Sequence, residues 1–213
     1  MKRHGFTLVE LLVVVGIIAI LAALGFGLAP SAIQHAQCAG CAARMHGLSL
    51  AFVQYAGDHD GQLPNRTVGT SDKWPVLLLP YVSDPRSYVD PGDPVASAVA
   101  PQNLASNNGN ASSFFFNGFN DLGAYTDPSV TVTLANLTGS SLALLGQKVH
   151  GSDQYYMDFV EGNENDVLNK TAYFGGANYG FADGSVRYIK LANYDNQMWL
   201  VNQSYQIPQQ QTQ

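Results

Sequence analysis

Gly5-Phe6-Thr7-Leu8-Val9-Glu10-Leu11-Leu12-Val13-Val14 begins an apolar run that continues to Ala29, interrupted near its start by a single carboxylate. At about 1.5 Å per residue, a helix over residues 6–29 reaches roughly 36 Å, enough for a hydrocarbon core of about 30 Å. The hydrophobic region of a secretory signal is shorter, about 7–15 residues, so Ala29-Pro30-Ser31 does not read as a cleavage site. Lys2 and Arg3 precede the run and no basic cluster follows it closely, which places the amino terminus in the cytoplasm and the rest of the chain outside. Glu10 is the anomaly. A lone carboxylate in lipid costs several kcal/mol, and such groups are ordinarily paired. If the chain is cut after Gly5, the new α-amino group of Phe6 stands four residues before Glu10 and supplies a cation, in its own helix or in a neighbour's.

Of the 213 residues, 46% are hydrophobic and only 12% charged, with a net charge of −6. Loops rich in Asn, Ser, Gly and Gln replace the missing charge, which suits an extracytoplasmic or assembly-forming surface. No lysine- or arginine-rich run is present, so no nucleic-acid partner is expected. Cys38 and Cys41 are the only cysteines, which excludes a disulfide-dense scaffold. The residues beyond the apolar run suffice for one domain with its own core.

Pro30 follows the run and would remove one helical hydrogen bond. Beyond it Gln34, Cys38, Cys41, Met45, Leu48, Phe52 and Tyr55 recur at helical spacing, one stripe of an amphipathic stem. One long helix is therefore expected from Phe6 to about Ala56, its second half docked by this stripe on a head. On that stripe Cys38 and Cys41 read as small packing residues. A redox pair lacks a surrounding βαβ pattern, a haem attachment lacks His at Ala42, and a disulfide within the helix is strained. His35 and His46 lie off the stripe and are expected in solvent or at a subunit contact.

In Tyr55-Ala56-Gly57-Asp58-His59-Asp60-Gly61-Gln62-Leu63-Pro64, Gly57 and Gly61 should end the helix and Pro64 prevent its resumption. A short helix is expected after Asp72, capped by that residue and stopped by Pro80. Residues 96–113 read as a mobile loop and 206–213 as a disordered tail. Strand signals cover 113–119, 129–137, 142–149, 171–182, 185–191 and 198–201, with Asp183-Gly184 joining a hairpin. Asp153, Asp158, Glu161, Glu164 and Asp166 crowd one segment, yet no EF-hand spacing is met there or at Asp58 and Asp60. A solvated acidic loop and no cofactor are the expectation; were Ca²⁺ held, Asp158, Glu161, Glu164 and Asp166 are its candidate ligands. Among the histidines only His59 and His150 fall in the head, with no Gly-x-Ser-x-Gly nearby, so no enzyme is expected. Asn-x-Ser/Thr triplets at Asn65, Asn110, Asn136, Asn169 and Asn202 would matter only on a eukaryotic secretory route.

The basic leader, Gly5, Phe6, Glu10 and the apolar run together closely resemble the start of type IV prepilins and type II secretion pseudopilins. The resemblance implies an α+β, pilin-like fold, with a long amino-terminal helix, membrane-spanning in its first half, packed on an antiparallel sheet. The corresponding division is leader 1–5, membrane half 6–29, stem 30–56, head 57–205 and tail 206–213. It implies cleavage between Gly5 and Phe6 and methylation of the Phe6 amine by a membrane prepilin peptidase/N-methyltransferase. It also implies pairing of Glu10 with that amine in neighbouring pilin or pseudopilin subunits of a homo-oligomeric filament. The implied location is the bacterial inner membrane, single-pass, with the head periplasmic or extracellular and the subunit passing into a surface filament. Several pseudopilins use calcium to order a head loop. The alternative is a single-pass anchored extracytoplasmic binding protein or hydrolase that does not polymerise. Loss of Lys2 and Arg3 with the leader would leave the 16 acidic side chains further in excess.

Within the head, Trp74-Pro75 to Pro80-Tyr81 and Gly175 to Val186 resemble segments of one large prepilin-like group. Members carry Cys-Pro-x-Asp-Pro where this chain has Asp90-Pro91-Gly92-Asp93-Pro94, so any disulfide through that cysteine is absent. They carry His, then nine residues, then Asp-Gly, and here Tyr173 stands in the His position ahead of Asp183-Gly184; Tyr173 either substitutes by hydrogen bonding or the role is lost.

Overall fold

The computed structural model describes residues 7–64, 73–95, 104, 111–118, 133–134, 137, 142–159 and 162–200, apart from the side chains of 23–29. The expectations for the leader, the tail, Asp72 and Glu161, and most of 96–113 and 129–137, lie outside these residues. By compactness the chain divides into Met1–Ala36 and Gln37–Gln213.

Leu8–Asp58 forms one helix, α1, which runs through Pro30. In the first unit the described apolar side chains, Leu8 to Leu21, are exposed. Counted over the described residues, no helix is long and apolar enough to cross a membrane. The side chains of 23–29, which extend the apolar run in the sequence, fall outside that count.

In the second unit the expected stripe is the buried face of α1. Cys41, Met45, Leu48 and Phe52 are buried, with Cys38 and Tyr55 half-buried at its margins. The helix stops later than its first glycine suggests: Gly57 remains helical, and Asp60 (φ 53°) and Gly61 (φ 80°) turn the chain, Gly61 N–H donating to Ala56 O at 2.7 Å. Trp74–Leu77 forms α2, preceded by Lys73, whose side chain makes no capping hydrogen bond. Pro80 lies inside the following 3-10 turn, Leu79–Tyr81, and so does not halt the chain there.

Five strands, β1 (Phe114–Asn117), β2 (Ala143–Gln147), β3 (Tyr156–Met157), β4 (Gly176–Phe181) and β5 (Val186–Lys190), make one sheet of order β3-β1-β2-β4-β5. All pairings are antiparallel except β1 with β3, which is parallel (Phe116↔Tyr156). The sheet is covered on both faces, which is why β1, β2 and β4 are buried throughout and show no alternation. On one face Met45, Leu48 and Phe52 of α1 meet Phe114, Phe116 and Leu145, with the Phe52 and Phe116 rings stacked at 4.5 Å. On the other, Phe115, Ala143, Ala177 and Tyr179 meet Trp199.

That second core overturns one expected strand. Met198 falls in a 3-10 turn, Asn196–Trp199, started by Asp195, whose carboxylate accepts from Gln197 N–H. The turn drives Trp199 against Phe115 and Tyr179, with ring centroids 5.3 and 5.8 Å apart, and the indole N–H donates to Tyr194 OH at 3.0 Å. Gly146 leaves room for this contact: a Cβ there would lie 2.3 Å from Phe115 Cζ.

Candidate functional site

Thr7 and Glu10 open α1 as a capping box. Glu10 Oε2 accepts from Thr7 N–H (2.8 Å) and Thr7 Oγ1–H (2.7 Å), and Glu10 N–H donates back to Thr7 Oγ1 at 3.3 Å. The sequence reading assigned Glu10 to an amine and missed this local role, although Thr-x-x-Glu before an apolar run is its signature. Gly5 and Phe6 lie outside the described residues. Glu10 is thus held one turn from the Phe6–Thr7 peptide, with its second oxygen in no described hydrogen bond.

A second constellation lies where α1 meets the sheet. Asp90, buried after the 3-10 turn Pro85–Tyr88, accepts from Tyr173 O–H, from Gln147 Nε2–H and, at 2.9 Å, from Gly92 N–H. Gln147 passes the network on, its Oε1 accepting from Asn178 N–H at 2.7 Å; Asn178 Nδ2–H then donates to Cys38 O at 3.0 Å. Tyr173, which stands where the resembled pattern has His, and Asp90, where it has Cys, are therefore hydrogen-bonded partners. Both departures were visible in sequence, but only the fold places them together. Burial, then the Asp90 hydrogen bond, pushes the Tyr173 phenol well above its ordinary range. Cys38 and Cys41 are free thiols, raised first by burial, so neither is an activated nucleophile. His46 is not merely solvated: its Nδ1 pairs with Gly184 O at 2.8 Å.

Lys148 is a third feature that the sequence reading passed over. Buried after β2, it donates from Nζ to Ser152 O and Gln154 O at 3.2 Å each. Burial holds its pKa down to about 8, against the opposing pull of Asp93 and Asp153.

Among the described residues, the candidates Asp158, Glu164 and Asp166 do not form a metal-binding group. Asp158 is buried, and its N–H donates to Asn163 Oδ1. Glu164, at the start of α3 (Glu164–Val167), pairs with Lys170 at 2.6 Å and accepts from Tyr194 OH; Asp166 is exposed. Among the described residues no group of three or more His, Cys, Asp or Glu side chains could hold a metal ion.

The family model described as the prokaryotic N-terminal methylation motif matches residues 1–26. The chain thus carries the amino-terminal signature of prepilin-like proteins, on the long-helix-and-sheet, α+β architecture that the resemblance implied. The motif points to a structural precursor rather than an enzyme. No curated protein and no solved structure matches the chain.

Proposed function

We propose that the chain is the precursor of a pilin-like or pseudopilin subunit, cut after Gly5, methylated on Phe6 and assembled through α1 into a pilus or a type II secretion pseudopilus. The carrying observation is the methylation motif at residues 1–26 heading a 51-residue helix whose first turn holds Glu10. Its partners are a prepilin peptidase/N-methyltransferase, further subunits and the inner membrane, with the head outside. The Glu10 carboxylate, already oriented by Thr7, is offered to the Phe6 ammonium of a neighbour; in lipid this pairing cancels two costly charges and favours side-by-side stems. No catalytic role is assigned to the head.

The test is the amino terminus of the protein recovered from bacterial membranes that contain the peptidase. N-methyl-Phe6 by mass or sequencing is expected. An intact Met1 overturns the reading in favour of an anchored protein that does not polymerise, and a terminus near Ser31 overturns it in favour of a chain released from the membrane.

A further inference from the structure

Outside α1, the large hydrophobic side chains that stay exposed among the described residues all gather at one end of the head. They are Val95, Val149, Phe174, Tyr188 and Leu191, between 37% and 51% exposed. Gly146 pairs with Tyr179 and Lys190 with Gly176, so the carboxyl ends of β2 and β5 lie beside the amino end of β4. Val149 follows β2, Phe174 precedes β4, Leu191 follows β5, and Tyr188, midway along β5, reaches the same end with its hydroxyl; Val95 lines a cavity with Lys148 and Val149.

This is also the end at which α1 joins the head. Gln37 Nε2–H donates to Pro91 O at 3.4 Å and Asn178 Nδ2–H to Cys38 O, whereas His46 pairs with Gly184 at the opposite end of β4. Residues 30–36 alone separate Gln37 from the apolar run. As helix those seven residues span about 10 Å.

Backbone strain marks the same place. Phe174 (φ 47°) and Gly175 (φ 73°) form a turn closed by Tyr173 and Gly176, and a bulky residue in the left-handed region is a conformation that needs support. Tyr188 O–H supplies it, donating to Tyr173 O at 2.8 Å and Phe174 O at 3.1 Å. Soluble surfaces rarely concentrate apolar groups in this way. Exposed Lys190 adjoins them, and aromatic side chains flanked by lysine suit the headgroup layer of a bilayer.

We propose that this end of the head rests on the membrane surface before assembly, with Phe174, Tyr188 and Leu191 entering the headgroup layer and Lys190 meeting lipid phosphates. The proposal rests on the membrane-anchored reading above.

The test uses full-length chains in nanodiscs of phosphatidylcholine and phosphatidylglycerol, prepared with and without brominated acyl chains. Phe174→Trp places a reporter at the contact, and Val53→Trp places one at an exposed position of α1 beyond His46. Bromolipid should quench the Phe174→Trp emission about twofold beyond that of the wild-type chain, and the Val53→Trp emission no more than wild type. Equal quenching of the two variants in an inserted chain overturns the surface contact alone. A benzoylphenylalanine at 174 that cross-links a second copy instead of lipid does the same. A chain that fails to partition into nanodiscs overturns the anchored reading itself.

Discussion

Asp90 is a buried carboxylate satisfied by a phenol, an amide and a backbone N–H, and Tyr173 is the partner contributed from the far end of the chain. Tyr173→Phe withdraws that donor and should destabilise the protein by about 1–3 kcal/mol in urea titrations. The penalty should shrink in an Asp90→Asn background, because neighbours in one network are not additive. If the two losses simply add, the pairing carries no coupling. Lys148 gives a pH signature. Its folded pKa, about 8, lies below the unfolded value of about 10.5, so between the two the unfolded chain binds more protons and stability rises with pH. Lys148→Met lacks this rising leg. Its melting temperature relative to wild type should therefore fall progressively from pH 7 to pH 10, and a constant difference would show that the amine is not desolvated.

Two glycines with opposite surroundings test how the elements pack. Gly146 in β2 faces Phe115 and Trp199, so Gly146→Ala should cost about 1–3 kcal/mol by overpacking. Gly47 lies on the exposed side of α1, where an added Cβ meets nothing within 4 Å; Gly47→Ala should stabilise by about 0.5–1 kcal/mol. Since Glu164 is already engaged by Lys170 and Tyr194, calcium and chelator should leave the melting curve unchanged. The elements that the sequence disclosed were those with a local cause. Helical spacing marked the docked face of α1, and Asp183-Gly184 marked the β4–β5 hairpin. The two-residue β3 has too few side chains to make a pattern, and the Trp199 turn answers to a distant Phe115. The Asp90 network likewise spans positions far apart in the chain, whereas the Thr7–Glu10 cap was legible from four residues.

At the scale of the whole molecule, the cap that Glu10 makes and the assembly role proposed for it are separable. Glu10→Gln keeps an acceptor for the cap, since either Glu or Gln closes a capping box, but removes the charge. Glu10→Ala removes both. If the charge recruits the neighbouring amine, both variants should insert in the membrane with unchanged helix content by circular dichroism in the Gln case, and both should be lost from sheared filaments. Filaments of normal yield from Glu10→Gln would leave only the cap.

Within the second unit, Cys41, Met45, Leu48 and Phe52 fill the head's core from a single helix, α1. The helix and β4 share a direction, from Cys38 beside Asn178 to His46 beside Gly184. Tension along this part of α1 consequently shears its row of contacts together instead of peeling them one by one, which makes the head resistant to losing that stretch of helix.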